Sequence, residues 1–152
     1  QHAVFDYDYI FVDVDTQEAL IDFDMKSATK NYFVTGFDAY SLKRGIEILS
    51  GLEEPIPLKK ILFSRKITRE EDEYLNFISL GCKAIWDEEK IYFPFEQGDE
   101  TAIMENQRAS KIKLKRLTQL YRESLLYIAE ELIDPKEIMD LKKAYKQLEK
   151  GV

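Results

Sequence analysis

Asn31-Tyr32-Phe33-Val34-Thr35, closed by Gly36 and followed by Ser41-Leu42-Lys43-Arg44-Gly45-Ile46-Glu47-Ile48-Leu49, is the stretch whose reading decides the fold. The first five residues have the aromatic and β-branched content of a compact strand, and the glycine breaks the run. Asp38 or Ser41 then supplies a helix cap, and Leu42, Ile46 and Leu49 share one helical face. A strand therefore passes directly into an amphipathic helix. Gly51, Pro55 and Pro57 stop that helix, and Lys60 to Ser64 reads as the next strand.

The same alternation continues in both directions. Thr68-Arg69-Glu70-Glu71 has the form of a capping box, and Tyr74, Leu75, Ile78 and Leu80 carry the helix it opens as far as Gly81. Lys83 to Trp86 and Ile91 to Phe95 read as two strands around the acidic turn Asp87-Glu88-Glu89-Lys90, and Asp99 to Gln107 as a short helix. Leu117, Leu120, Tyr121, Leu125, Ile128 and Leu132 keep helical spacing over four turns, and Asp134-Pro135 restarts the chain into a last stripe of Ile138, Leu141, Tyr145 and Leu148. Upstream, Tyr7-Asp8-Tyr9-Ile10-Phe11-Val12-Asp13 reads as a buried parallel strand that ends in a carboxylate, and Thr16 to Ala28 as a helix. Strands alternating with helices at this spacing predict one α/β domain over residues 1–152, with a mainly parallel sheet flanked by helices and a C-terminal helical tail over 117–150.

Composition agrees with a folded domain. The chain has 152 residues, 45% of them apolar and 34% charged, a balance that excludes disordered and low-complexity classes. No uncharged apolar run approaches the roughly 18 residues of a membrane helix. The first residues show neither the basic nor the apolar region of a secretory signal, so a cytoplasmic address is expected. One cysteine, Cys82, and one histidine, His2, make a Cys/His zinc site, a Cys-His nucleophile pair and a Ser-His-Asp triad improbable. The net charge of −7 argues against wholesale coating of nucleic acid but leaves room for a local basic patch.

Two observations bear on chemistry. The six glycines fall in neither the G-x-x-x-x-G-K-[ST] nor the G-x-G-x-x-G spacing, so no phosphate loop is present in these residues. Asp13-Val14-Asp15 stands at the expected carboxyl end of the first strand, where open α/β sheets bind ligands and two carboxylates can hold Mg²⁺ directly or through water.

In order, these pieces resemble the MinD/ParA class of deviant Walker A ATPases over about residues 6–133. Tyr7 to Asp13 resembles their strand ending in Asp, Asn31 to Thr35 with Ser41 to Leu49 their next strand and helix, and Lys60-Ile61-Leu62-Phe63-Ser64-Arg65 the strand that runs into an adenine-contacting Asn. Phe93-Pro94-Phe95, Ala102 to Gln107 and Leu117 to Ile133 resemble the Pro-containing nucleotide-side loop, short helix and long C-terminal helix. The resemblance implies either the C-terminal half of a P-loop NTPase fold, with the phosphate loop upstream of residue 1, or a relative that has lost the loop. It implies ATP and Mg²⁺ as the family's cofactors, neither expected to bind this chain alone. It carries over Asp13, with Asp15 beside it, to a catalytic place near Mg²⁺ and the attacking water, and Ser64, Arg65, Pro94 and Phe95 to the nucleotide's adenine side, Ser64 standing where the family has Asn.

Two other readings use the same residues. Asp13, Asp15, Thr35 and Gly98-Asp99-Glu100 resemble the set of a haloacid-dehalogenase-like, Mg-dependent phosphohydrolase, with Asp13 as nucleophile and Asp15 as general acid, although Thr16-Gln17 stands where that family has Gly-Thr. The third is an interaction module without catalysis, with a protein partner or a second copy contacted through the last helix. Finally, Arg108-Ala109-Ser110-Lys111-Ile112-Lys113-Leu114-Lys115-Arg116 holds five cations and no acid; Arg108, Lys111, Lys113, Lys115 and Arg116 are candidates for contact with DNA or with lipid headgroups.

Overall fold

The computed structural model describes residues 6–64, 68–94 and 96–151. Its sheet has three parallel strands, β1 (Tyr32–Thr35), β2 (Ile56–Ser64) and β3 (Ala84–Pro94), in the order β1-β2-β3. β2 is the central strand because its run Leu58-Lys59-Lys60-Ile61-Leu62 is buried on both sides, the sequence habit of parallel sheets covered by helices.

One face packs on α1 (Gln17–Asp22), α2 (Ala39–Leu49) and α3 (Arg69–Ser79), where Leu20, Leu42, Leu49 and Leu75 meet Phe33, Leu58 and Leu62. The other packs on α4 (Gln97–Ala109), α5 (Gln119–Leu132) and α6 (Ile138–Lys150), where Ala102, Leu117, Tyr121 and Leu148 meet Ile61, Ile91 and Phe93. The α/β class, the parallel sheet and the helical C-terminus expected from the sequence are all present. Among the described residues no helix is long and apolar enough to cross a membrane.

Local chemistry explains the helix starts. Asp38 accepts from Ser41 N at 2.8 Å, and Thr68 and Glu71 form the reciprocal capping box, at 3.2 and 3.0 Å. Gly45 answers a close approach, since a Cβ there would stand 2.5 Å from Cε2 of the buried Phe33 ring.

The structure corrects four sequence expectations. Tyr7 to Asp13 is not a strand: it is exposed, joins no ladder among the described residues and leaves Phe11 79% exposed, and its Tyr9 hydroxyl instead donates to Glu137, between α5 and α6, at 3.0 Å. The helix expected over 16–28 closes at Asp22, with a separate 3-10 turn at Met25–Ser27, because Phe23 turns extended and Asp24 opens a new cap on Lys26 N. The two short strands around an acidic turn are one strand, β3, in which Asp87-Glu88-Glu89 forms a bulge: Leu58 pairs with Trp86 but Lys60 with Lys90. α4 is longer than the expected 99–107, running from Gln97 to Ala109 and taking in Gly98-Asp99-Glu100 as its first turn.

Candidate functional site

The three strands end together at Thr35, Ser64 and Pro94, and α2, α3 and α4 begin at that edge, where an open α/β sheet would bind an anion. Each of these helix N-termini carries its own acid. Asp38 caps α2, and the bonds it accepts from Ser41 hold its carboxyl below the usual range. Glu71 caps α3 with Thr68. Asp99, fully buried in the first turn of α4, accepts from Glu96 N at 3.3 Å and, across to α5, from Thr118 N at 2.7 Å and Thr118 Oγ1 at 3.0 Å. Three backbone donors at this edge, those of Ser41, Thr68 and Glu96, are thus taken by carboxylates of the chain itself.

The residues singled out in the sequence scatter around that edge. Asp13 and Asp15 are exposed in the stretch before α1, where the Asp15 carbonyl accepts from Arg44 Nη2 at 3.4 Å. Thr35 is buried and its hydroxyl donates to the Gly36 carbonyl at 3.0 Å. Ser64 and Pro94 terminate β2 and β3 half-buried, whereas Arg65 and Phe95 lie outside the described residues. Among the described residues no group of three or more His, Cys, Asp or Glu side chains is gathered as a metal would need.

The basic stretch has a definite form. Ser110 ends α4 in the left-handed region (φ 48°), and the following residues return along the helix. Asn106 clasps Lys113 twice, donating to its carbonyl at 2.9 Å and accepting from its N–H at 3.1 Å. Leu114 and Leu117 are buried beneath. Arg116 pairs with Glu105 at 2.6 Å, while Arg108, Lys111, Lys113 and Lys115 are exposed and make no ion pair among the described residues.

A charged cluster on the sheet itself escaped the sequence reading. Lys59, buried in β2, donates to Glu131 of α5, to Glu89 Oε2 at 3.2 Å and to Tyr127 Oη at 3.2 Å; Tyr32 Oη donates to Glu131 at 2.9 Å and Tyr127 Oη to Glu89 at 2.6 Å. Burial works against the Lys59 ammonium, but the bonds to Glu131, Tyr127 and Glu89 outweigh it and raise its pKa; burial and the bond to Glu131 raise that of Tyr32. The β3 bulge is what carries Glu89 to this cluster. Its only signal in the sequence was a Lys-Lys pair inside an apolar strand.

Lys60, on the opposite face, is 3% exposed and lies 4.5 Å over the Trp86 ring, while the nearby Asp72 is taken by Lys90 at 2.6 Å and Tyr92 at 3.2 Å. Burial, and then repulsion by Lys90, lowers its pKa below the ordinary 10.5. The folded state thus sheds this proton before the unfolded chain does, so Lys60 carries a penalty that is full at neutral pH and shrinks as pH rises toward 10.5. Lys60→Met is expected to be more stable than the parent at neutral pH, with the gap closing toward pH 10 (about the unfolded lysine value) in urea titrations; a gap that widens with pH contradicts the assignment.

Scans against protein-family models, curated proteins and solved structures found no match for this chain.

Proposed function

We propose that this chain is a non-hydrolysing binding or assembly domain that resembles the C-terminal portion of a MinD/ParA-like partitioning or positioning ATPase, and that it works in the cytoplasm. The observation that carries the reading is the bare edge of the sheet. Val34 in β1 is 58% exposed on a sheet whose central strand is largely buried, and the aromatic-rich stretch Tyr7 to Val12 is exposed and joins no ladder among the described residues. Among the described residues β1 pairs with β2 alone, so its other side is an edge open to a further strand. The order strand, helix, strand, helix, strand, helix, long helix from Tyr32 to Leu132 supports the same reading. So does the self-capped strand-end edge, which suits a chain that does not grip a triphosphate by itself. Asp13 and Asp15 then act only when a phosphate loop is supplied, and the exposed basic stretch serves as a contact to a polyanionic surface.

Amide hydrogen exchange tests the edge. In this chain alone, Ile10 to Val12 and the β1 amides that face away from β2 are expected to exchange fast, and to become protected when a segment bearing a glycine-rich phosphate loop is joined upstream. Protection already complete in the 152-residue chain would contradict the reading.

A further inference from the structure

We infer that the return segment from Arg108 to Arg116 is a docking surface for an anionic phospholipid bilayer. The inference rests on the polyanion-contact reading of that stretch and names its partner. Four cations that make no ion pair among the described residues, Arg108, Lys111, Lys113 and Lys115, are grouped within eight residues that contain no acid. The backbone beneath them is already fixed by the Asn106 clasp, by the bond from Leu117 N to the Leu114 carbonyl at 3.0 Å and by the burial of Leu114, so little ordering cost accompanies docking. The aliphatic part of Lys115 lies against Gly151, which brings the C-terminal end of α6, with its Lys150, to the same surface.

Charge alone would suit a nucleic acid as well as a bilayer. Ile112 separates the two. Flanked by Lys111 and Lys113, it is 72% exposed. A phosphate backbone offers such a side chain nothing, whereas the headgroup and acyl boundary of a bilayer removes it from water while lysines on either side meet anionic lipids. A fluid bilayer also gathers acidic lipids around a compact patch, which fits a cation group confined to one loop of a chain whose net charge is −7.

The test is sedimentation of the full chain with vesicles of phosphatidylcholine containing phosphatidylglycerol, with phosphatidylcholine vesicles alone and with a random-sequence DNA duplex in parallel. Binding to the anionic vesicles is expected, weakening with salt. Each lysine removed should cost about fivefold, so Lys111→Ala with Lys113→Ala should cost roughly 25-fold. Ile112→Ser should cost roughly tenfold on vesicles and leave any duplex binding unchanged. All three positions are exposed, so the thermal midpoint of each variant serves as a folding control that should not move. Vesicle binding that is indifferent to Ile112→Ser overturns the inference. Binding to the duplex without binding to vesicles overturns it while sparing the polyanion reading, and binding to neither overturns both.

Discussion

Lys59→Met is expected to destabilise the fold by about 3–5 kcal/mol, because removing one member of a buried charge cluster strands the other. Glu131, its side chain 17% exposed, would keep only the Tyr32 hydroxyl among its present partners, and the attachment of α5 to the sheet would lose its central polar contact. Glu89, largely exposed, can turn to water and adds little. Combining Lys59→Met with Glu131→Gln should recover most of the loss, since the cost is that of an uncompensated charge. Urea denaturation at neutral pH measures both. The pH dependence follows with its sign: a raised lysine contributes stability that is complete below the unfolded value of 10.5 and is lost as pH climbs through the folded value. A single variant within 1 kcal/mol (about the value of an exposed pair) of the parent would show that the cluster holds nothing together.

Phe93→Ala should cost a similar amount, about 3–5 kcal/mol, by a different mechanism. Phe93 is almost fully buried in β3, stacked on Phe63 at 4.7 Å and edge-on to Tyr121 of α5 at 4.8 Å. Truncation leaves a cavity that stiff neighbours on a three-stranded sheet cannot close. Phe93→Leu should cost less than half as much, and thermal denaturation of both variants checks the order. Equal losses would mean that ring stacking rather than volume is what the site requires.

What could be read in the sequence was local. The Thr68 to Glu71 capping box, the Asp38 cap and the strand at Tyr32 to Thr35 each depend on residues a few positions apart, and they stand where expected. What failed depended on distant partners. Tyr7 to Asp13 has the composition of a strand, but a strand needs a ladder, and this stretch instead makes its contact at Glu137 through the Tyr9 hydroxyl, 128 residues away. Asp87 to Glu89 has the composition of a turn, yet hydrogen bonding to β2 on either side keeps it within one strand, with Asp87 Oδ1 accepting from Glu89 N at 2.9 Å across the bulge. The Lys59 cluster joins residues from β1, β2, β3 and α5, so no window of sequence could show it. The candidate site suffered most, because the placement of Asp13 and Asp15 at a strand end was inferred from the strand that did not form.

Titration calorimetry of the purified chain with Mg²⁺-ATP addresses the central proposal, a domain that cannot hold a nucleotide alone. A triphosphate is gripped by backbone N–H groups of a glycine-rich loop together with a lysine, and the described strand-end edge instead gives backbone donors to Asp38, Glu71 and Asp99. The account predicts no saturable heat up to millimolar ATP. A micromolar dissociation constant, abolished by Asp13→Ala, would contradict it.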